Sequence, residues 1–103
     1  MRKEKTLLAT RHKGAIEWIK RKGFNGEVVS HISAEMIGEG DTVIGNIPVH
    51  MIEEIKQKGA RVFIIVMPQV PKEMRGQELT AEQMEQFGAK LLEVKSIELR
   101  EVH

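Results

Sequence analysis

The sequence of 103 residues contains no cysteine. That one absence excludes disulfides, thiolate metal sites and a cysteine nucleophile. Long apolar runs are missing as well, and nothing approaches the roughly 20 residues that a membrane-spanning helix needs. The opening stretch MRKEKTLLAT is basic, but its apolar core is only Leu7 and Leu8. It is too short for a secretion signal and reads as a first strand. A cytoplasmic protein without membrane contact is expected. A large excess of charge is also absent. The formal net charge is +1, so direct binding to duplex nucleic acid is not expected.

The composition that remains is 41% hydrophobic and 30% charged, ordinary usage for a globular chain. The length suits one domain, residues 1–103. The charge is unevenly spread. Residues 1–22 hold eight Lys or Arg against two Glu, and the rest of the chain holds eight against thirteen acids. Such asymmetry marks either an anion site near the start or a solvated helix face.

A pattern recurs three times: an amphipathic helix, a glycine, then a β-rich run. GAIEWIKRKG precedes EVVSH, PVHMIEEIKQKG precedes ARVFIIVM, and TAEQMEQFG precedes AKLLEV. Gly23, Gly59 and Gly88 stand where each helix should stop. Alternating strands and helices imply an α/β fold with a mostly parallel sheet. The expected strands are Thr6–Thr10, Glu27–Ser30, Thr42–Gly45 and Val62–Met67, with a fifth starting near Lys90. The unbroken apolar run Val62–Val66 suits an interior strand covered by helices on both faces. The tail LLEVKSIELREV alternates apolar and charged residues, as an edge strand or hairpin would. Thr80 and Gln83 have capping-box spacing, Pro48 belongs in the first turn of the second helix, and Trp18 belongs in the core.

In parallel α/β sheets, ligands bind outside the carboxyl ends of the strands. That rule collects Thr10, Arg11, His12, Lys13 and Gly14 after the first strand, and His31 after the second. It adds Gly45, Asn46 and His50 after the third, and Arg75 and Glu78 in the long loop after the fourth. Arg11–Lys13 lie ahead of a helix start, where free N–H groups and the helix dipole attract phosphate. Arg11 can grip a phosphate through two hydrogen bonds, Gly14 leaves room for backbone to approach a ligand, and His12 can move a proton. The same residues would also serve as an ordinary basic surface turn. Asn46 can cap the second helix or read a base edge or ribose, and His50 can bind or simply pack. Residues 68–79 form a loop long enough to act as a lid, in which Arg75 can close on a phosphate or pair with Glu78. A convergence of His12, His31 and His50 on zinc is a further alternative, although their spacing fits no metal motif.

Four blocks in order carry a family resemblance. They are Thr10-Arg11-His12-x-Gly14-Ala15-x-Glu17-Trp18, Asp41-x-Val43-Ile44-Gly45-x-x-Pro48-Val49-His50, Gly59-Ala60-Arg61, and Arg75-Gly76-x-Glu78-Leu79-x-x-Glu82. Together they resemble a small family of type III CRISPR-associated proteins, the sixteenth of the Csx series, over nearly the whole chain. Lys13 stands where many members have proline. The resemblance implies a Rossmann-like, mostly parallel sheet of about five strands with helices on both faces. It also implies a homodimeric ring nuclease that cleaves the second messenger cyclic tetra-adenylate and so switches off type III CRISPR signalling. No cofactor or metal is implied, because the ribose 2′-hydroxyl attacks its neighbouring phosphodiester. In that reading His12 and Arg11 are catalytic, and Thr10, Lys13, Gly14, His31, Gly45, Asn46, His50, Arg75 and Glu78 bind the ligand. A sensor or sponge that binds the ring without cutting it would use the same residues, and a histidine-based metal hydrolase would abandon the resemblance.

Overall fold

The computed structural model describes residues 3–103. Its strands are β1 (Thr6–Ala9), β2 (Glu27–Val28), β3 (Thr42–Gly45), β4 (Arg61–Val66) and β5 (Lys90–Glu93). Its α-helices are α1 (Lys13–Arg21), α2 (Val49–Gln57) and α3 (Ala81–Gln86), with short 3₁₀ turns at Ala34–Met36 and Lys72–Met74. The five strands form one sheet in the order β2-β1-β3-β4-β5. β1 pairs parallel with β2 and β3, and β3 pairs parallel with β4, whereas β5 runs antiparallel beside β4. The expected α/β architecture is therefore present. No helix of the described residues is long and apolar enough to cross a membrane.

Strand alternation sorts the apolar side chains into two layers. Leu7, Val43 and Val62 point to one face, where Ile52 and Ile55 of α2 cover them together with Val29 and Ile37. Leu8, Ile44 and Phe63 point to the other, covered by Ala15, Trp18 and Ile19 of α1 and by Ala81 and Met84 of α3. Each fully buried large side chain contributes about 1.5–3 kcal/mol. Trp18, Leu8, Ile44 and Ile55 are all completely enclosed. β4 has a strand on either side and apolar residues facing both layers, which is why its sequence shows no polar alternation.

The helix stops and starts follow local chemistry. Gly23, Gly59 and Gly88 each have positive φ just past a helix. The Thr80–Gln83 capping box is formed in both directions. α3 is only six residues long, and ion pairs tie it to α1. Arg21 bonds Glu82 at 2.8 Å and Lys22 bonds Glu85 at 2.7 Å. Hydrogen bonding to those two cations lowers both carboxylates below their ordinary range.

Three expectations need correction. Pro48 is the N-cap of α2 rather than a first-turn residue. β2 pairs through only two residues instead of four, although the Val29 N–H still donates to the Leu8 carbonyl at 2.9 Å. The alternating tail is an edge strand, as expected, only as far as Glu93, and no strand or hairpin follows. Beyond Glu93, Val94 and Ile97 rest on the α2-side core and the Leu99 N–H donates to Glu53 at 2.6 Å, while the Leu99 and Val102 side chains are exposed.

The amino ends of the strands are held by Asp41, which is wholly buried. Its carboxylate accepts hydrogen bonds from the N–H groups of Lys5 and Gly38 and from Lys5 Nζ, each at 3.0 Å. At the same edge Arg61 grips Glu93 through two bonds of 2.9 and 3.1 Å, joining the start of β4 to the end of β5. The guanidinium pulls the Glu93 carboxyl down from 4.5 to about 2. A depressed carboxyl stabilises the fold above its unfolded value and loses that contribution as pH falls toward the folded one. Urea unfolding of the wild type should therefore lose stability between pH 4.5 and about 2, and Glu93→Gln should flatten the curve in that window. Parallel curves for the two proteins would show that the pair adds nothing.

Candidate functional site

α1 continues from β1 over one face of the sheet, while α2 continues from β3 over the other. β1 and β3 are neighbours, so their connections diverge and leave a crevice at their carboxyl ends, the topological switch point of the order 2-1-3-4-5. A cavity of about 270 Å³ opens there. Ala15, Ile65, Met67, Leu79 and Met84 supply its apolar walls, and His12, Asn46, Gln77 and Glu78 supply its polar groups. A cleft of about 520 Å³ lies beside it, lined by Arg11, Lys13, Gly14, Glu17 and Thr80. Glu78 and Leu79 border both spaces.

The turn from β1 into α1 is set by Thr10, whose hydroxyl accepts the His12 N–H at 3.2 Å. His12 is the N-cap of α1 but offers no capping side-chain bond, and the first turn contains no acid. The first-turn N–H groups thus lack intrahelical acceptors, and the first-turn residues Lys13, Gly14 and Ala15 border the two spaces at the positive end of the helix dipole. Among the described residues, Arg11 and Lys13 form no ion pair, and the Asn46 side chain forms no hydrogen bond. Two unneutralised cations, open amides and a free carboxamide meet at one edge.

His12 does have a partner. Its Nδ1 lies 2.6 Å from Glu78 Oε1, across 66 positions of sequence. Glu78 sits at the end of the loop that connects β4 to α3, and that end is firmly seated against α1. A Cβ on Gly14 would collide with the Leu79 carbonyl. The next residue, Thr80, is locked in the capping box. The close approach expected at Gly14 is therefore made by the protein's own loop rather than by open space for a ligand. Gly45 is used similarly. It has φ of 141°, a Cβ there would strike the Ala9 carbonyl, and the Asn46 N–H then donates to that carbonyl at 3.1 Å. Asn46 does not cap α2, since Pro48 takes that position.

Not every expected site residue reaches the crevice. His31 and His50 are exposed and line neither space, and Arg75 lines a third, adjoining space with Val70 and Met74, which shares Met67, Gly76, Gln77 and Leu79 with the cavity. Arg75 is not the partner of Glu78, which His12 occupies instead. The histidines do not form a metal site: no group of three or more His, Asp or Glu among the described residues could hold a metal ion. Sequence reasoning overlooked Gln77 and the apolar walls Ile65, Met67 and Met84. The period-two pattern of β4 carried that signal, because it puts Ile65 and Met67 on the α1–α3 side.

A family model described as "Putative CRISPR-associated protein (Cas_VVA1548)" matches residues 7–97. No curated protein and no solved structure matches the chain.

Gly14→Ala tests the seating of the loop. The methyl would have to displace backbone at Leu79, so unfolding free energy should fall by about 1–3 kcal/mol. Denaturant unfolding measures this, and an unchanged midpoint would show that the loop does not press on α1.

Proposed function

The chain belongs to the Cas_VVA1548 family of CRISPR-associated proteins, and from that premise and the crevice chemistry we propose that it is a metal-independent ring nuclease acting on cyclic tetra-adenylate. The observation that carries the proposal is the juxtaposition of His12 with two unpaired cations, Arg11 and Lys13, at the uncapped start of α1. A phosphodiester has the charge and the acceptor oxygens for that position. The resemblance to type III CRISPR-associated ring nucleases supports the choice of a cyclic oligoadenylate.

The reaction assigned to the site begins with one phosphate held by Arg11, Lys13 and the first-turn amides, which neutralise charge as it builds on phosphorus. His12 takes the proton of the adjacent ribose 2′-hydroxyl. The 2′-oxygen forms a bond to phosphorus and the bond from phosphorus to the 5′-oxygen breaks, the leaving oxygen gaining a proton from water and the resulting hydroxide taking back the proton held by His12. The products are a 5′-hydroxyl and a 2′,3′-cyclic phosphate. Asn46 and Gln77 stand where side-chain amides can meet base or ribose edges. Since the crevice of one protomer is open and a tetra-adenylate ring has two-fold symmetry, the active form in this reading is a homodimer enclosing one ring. Sedimentation should show a dimer with or without ligand, and monomer under both conditions would remove this part of the proposal.

Labelled cyclic tetra-adenylate incubated with the protein in excess EDTA should yield short linear adenylates ending in 2′,3′-cyclic phosphate. His12→Ala should slow cleavage by about two to four orders of magnitude while the ring still binds. Arg11→Ala should weaken binding by roughly 1.5–3 kcal/mol. A ring that is bound yet intact after long incubation with excess protein would replace the nuclease with a sensor or sponge.

A further inference from the structure

We infer that Glu78 is a positioning residue for His12, fixing the imidazole so that Nε2 is presented to the ligand as the proton acceptor. The inference rests on the proposed ring nuclease reading and adds a role to its site. It starts from the 2.6 Å contact between Glu78 Oε1 and His12 Nδ1. A carboxylate accepts but does not donate, so the proton in that contact belongs to Nδ1. In the neutral ring the lone pair must then reside on Nε2. A free imidazole prefers the opposite arrangement and turns about its side-chain bonds. The His12 side chain is 52% exposed, so packing alone does not hold it.

The placement of Glu78 is determined by its neighbours. Leu79 is pressed on Gly14 and Thr80 is fixed by its reciprocal bonds with Gln83. The carboxylate thus comes to His12 from a point anchored on the same helix that His12 begins. Two unpaired cations, Arg11 and Lys13, flank His12 in sequence, yet the carboxylate bonds the imidazole. A carboxylate facing the phosphate would repel it. Bonded to Nδ1, the carboxylate instead leaves Nε2 as the ring atom available to a ligand. Glu78 therefore acts through His12 rather than on the ligand.

The test joins spectroscopy to kinetics in the full chain. Nitrogen-15 spectra of labelled histidine should show neutral wild-type His12 with its proton on Nδ1. Glu78→Ala should move the proton largely to Nε2, and Glu78→Gln, whose amide oxygen still accepts, should keep it on Nδ1. With cyclic tetra-adenylate as substrate, Glu78→Ala should lower kcat about ten- to a hundredfold with KM within about twofold. Glu78→Gln should recover part of the loss. An unchanged tautomer in Glu78→Ala, an unchanged kcat, or a raised KM at constant kcat would each overturn the inference, the last by making Glu78 a ligand contact. If the wild type cleaves no ring, the nuclease reading fails, and the inference falls with it as a catalytic role. The nitrogen spectra distinguish that outcome from failure of the pair itself.

Discussion

Two helices that leave neighbouring strands over opposite faces of a sheet cannot cover the gap between their starting points. Here α1 follows β1 onto the face of Leu8 and Phe63, and α2 follows β3 onto the face of Leu7 and Val62. The divergence opens a crevice at the carboxyl ends of β1 and β3. Gly45 allows the two strands to stay close up to that point, with Asn46 bonding back to Ala9. The crevice is lined by apolar side chains such as Ile65 and Met67 together with the polar His12 and Asn46.

The opposite edge of the sheet does different work. Asp41 collects bonds from Lys5 and Gly38, and Arg61 clasps Glu93. These charges are engaged with one another at the amino ends of β1 and β3 and the start of β4. At the carboxyl ends, Arg11 and Lys13 have no such partners among the described residues. This division is the reason to expect an anion at the carboxyl ends, because a charge already compensated within the protein has less to offer an anion than one that is not.

Much of the fold was legible because local chemistry agrees with the global arrangement. The apolar run of β4, the glycines that stop each helix and the Thr80–Gln83 box all signal their elements within a few residues. The crevice was legible because the carboxyl-end rule needs only strand positions. Its internal geometry was not. The His12–Glu78 contact spans 66 positions, and the course of the connecting loop decides it, which no periodicity encodes. The reason for Gly14 was hidden for the same cause, since its close neighbour is Leu79. His31 and His50 follow β2 and β3 as the carboxyl-end rule requires, but both are exposed and line neither of the two spaces. In the tail the alternation runs past the strand: it pairs only through Glu93, after which Val94 and Ile97 pack on the α2-side core and Leu99 and Val102 are exposed.

The central claim is that an anionic nucleotide ligand enters at the β1–β3 switch point. Backbone amide spectra recorded while cyclic tetra-adenylate is titrated into the protein test that claim directly. Progressive shifts are expected at Arg11–Gly14, at Asn46 and at Gly76–Leu79, with the amides of Asp41, Arg61 and Glu93 unmoved. Shifts centred on that second group, or on the outer edges at β2 and β5 with Arg11–Gly14 silent, would contradict it.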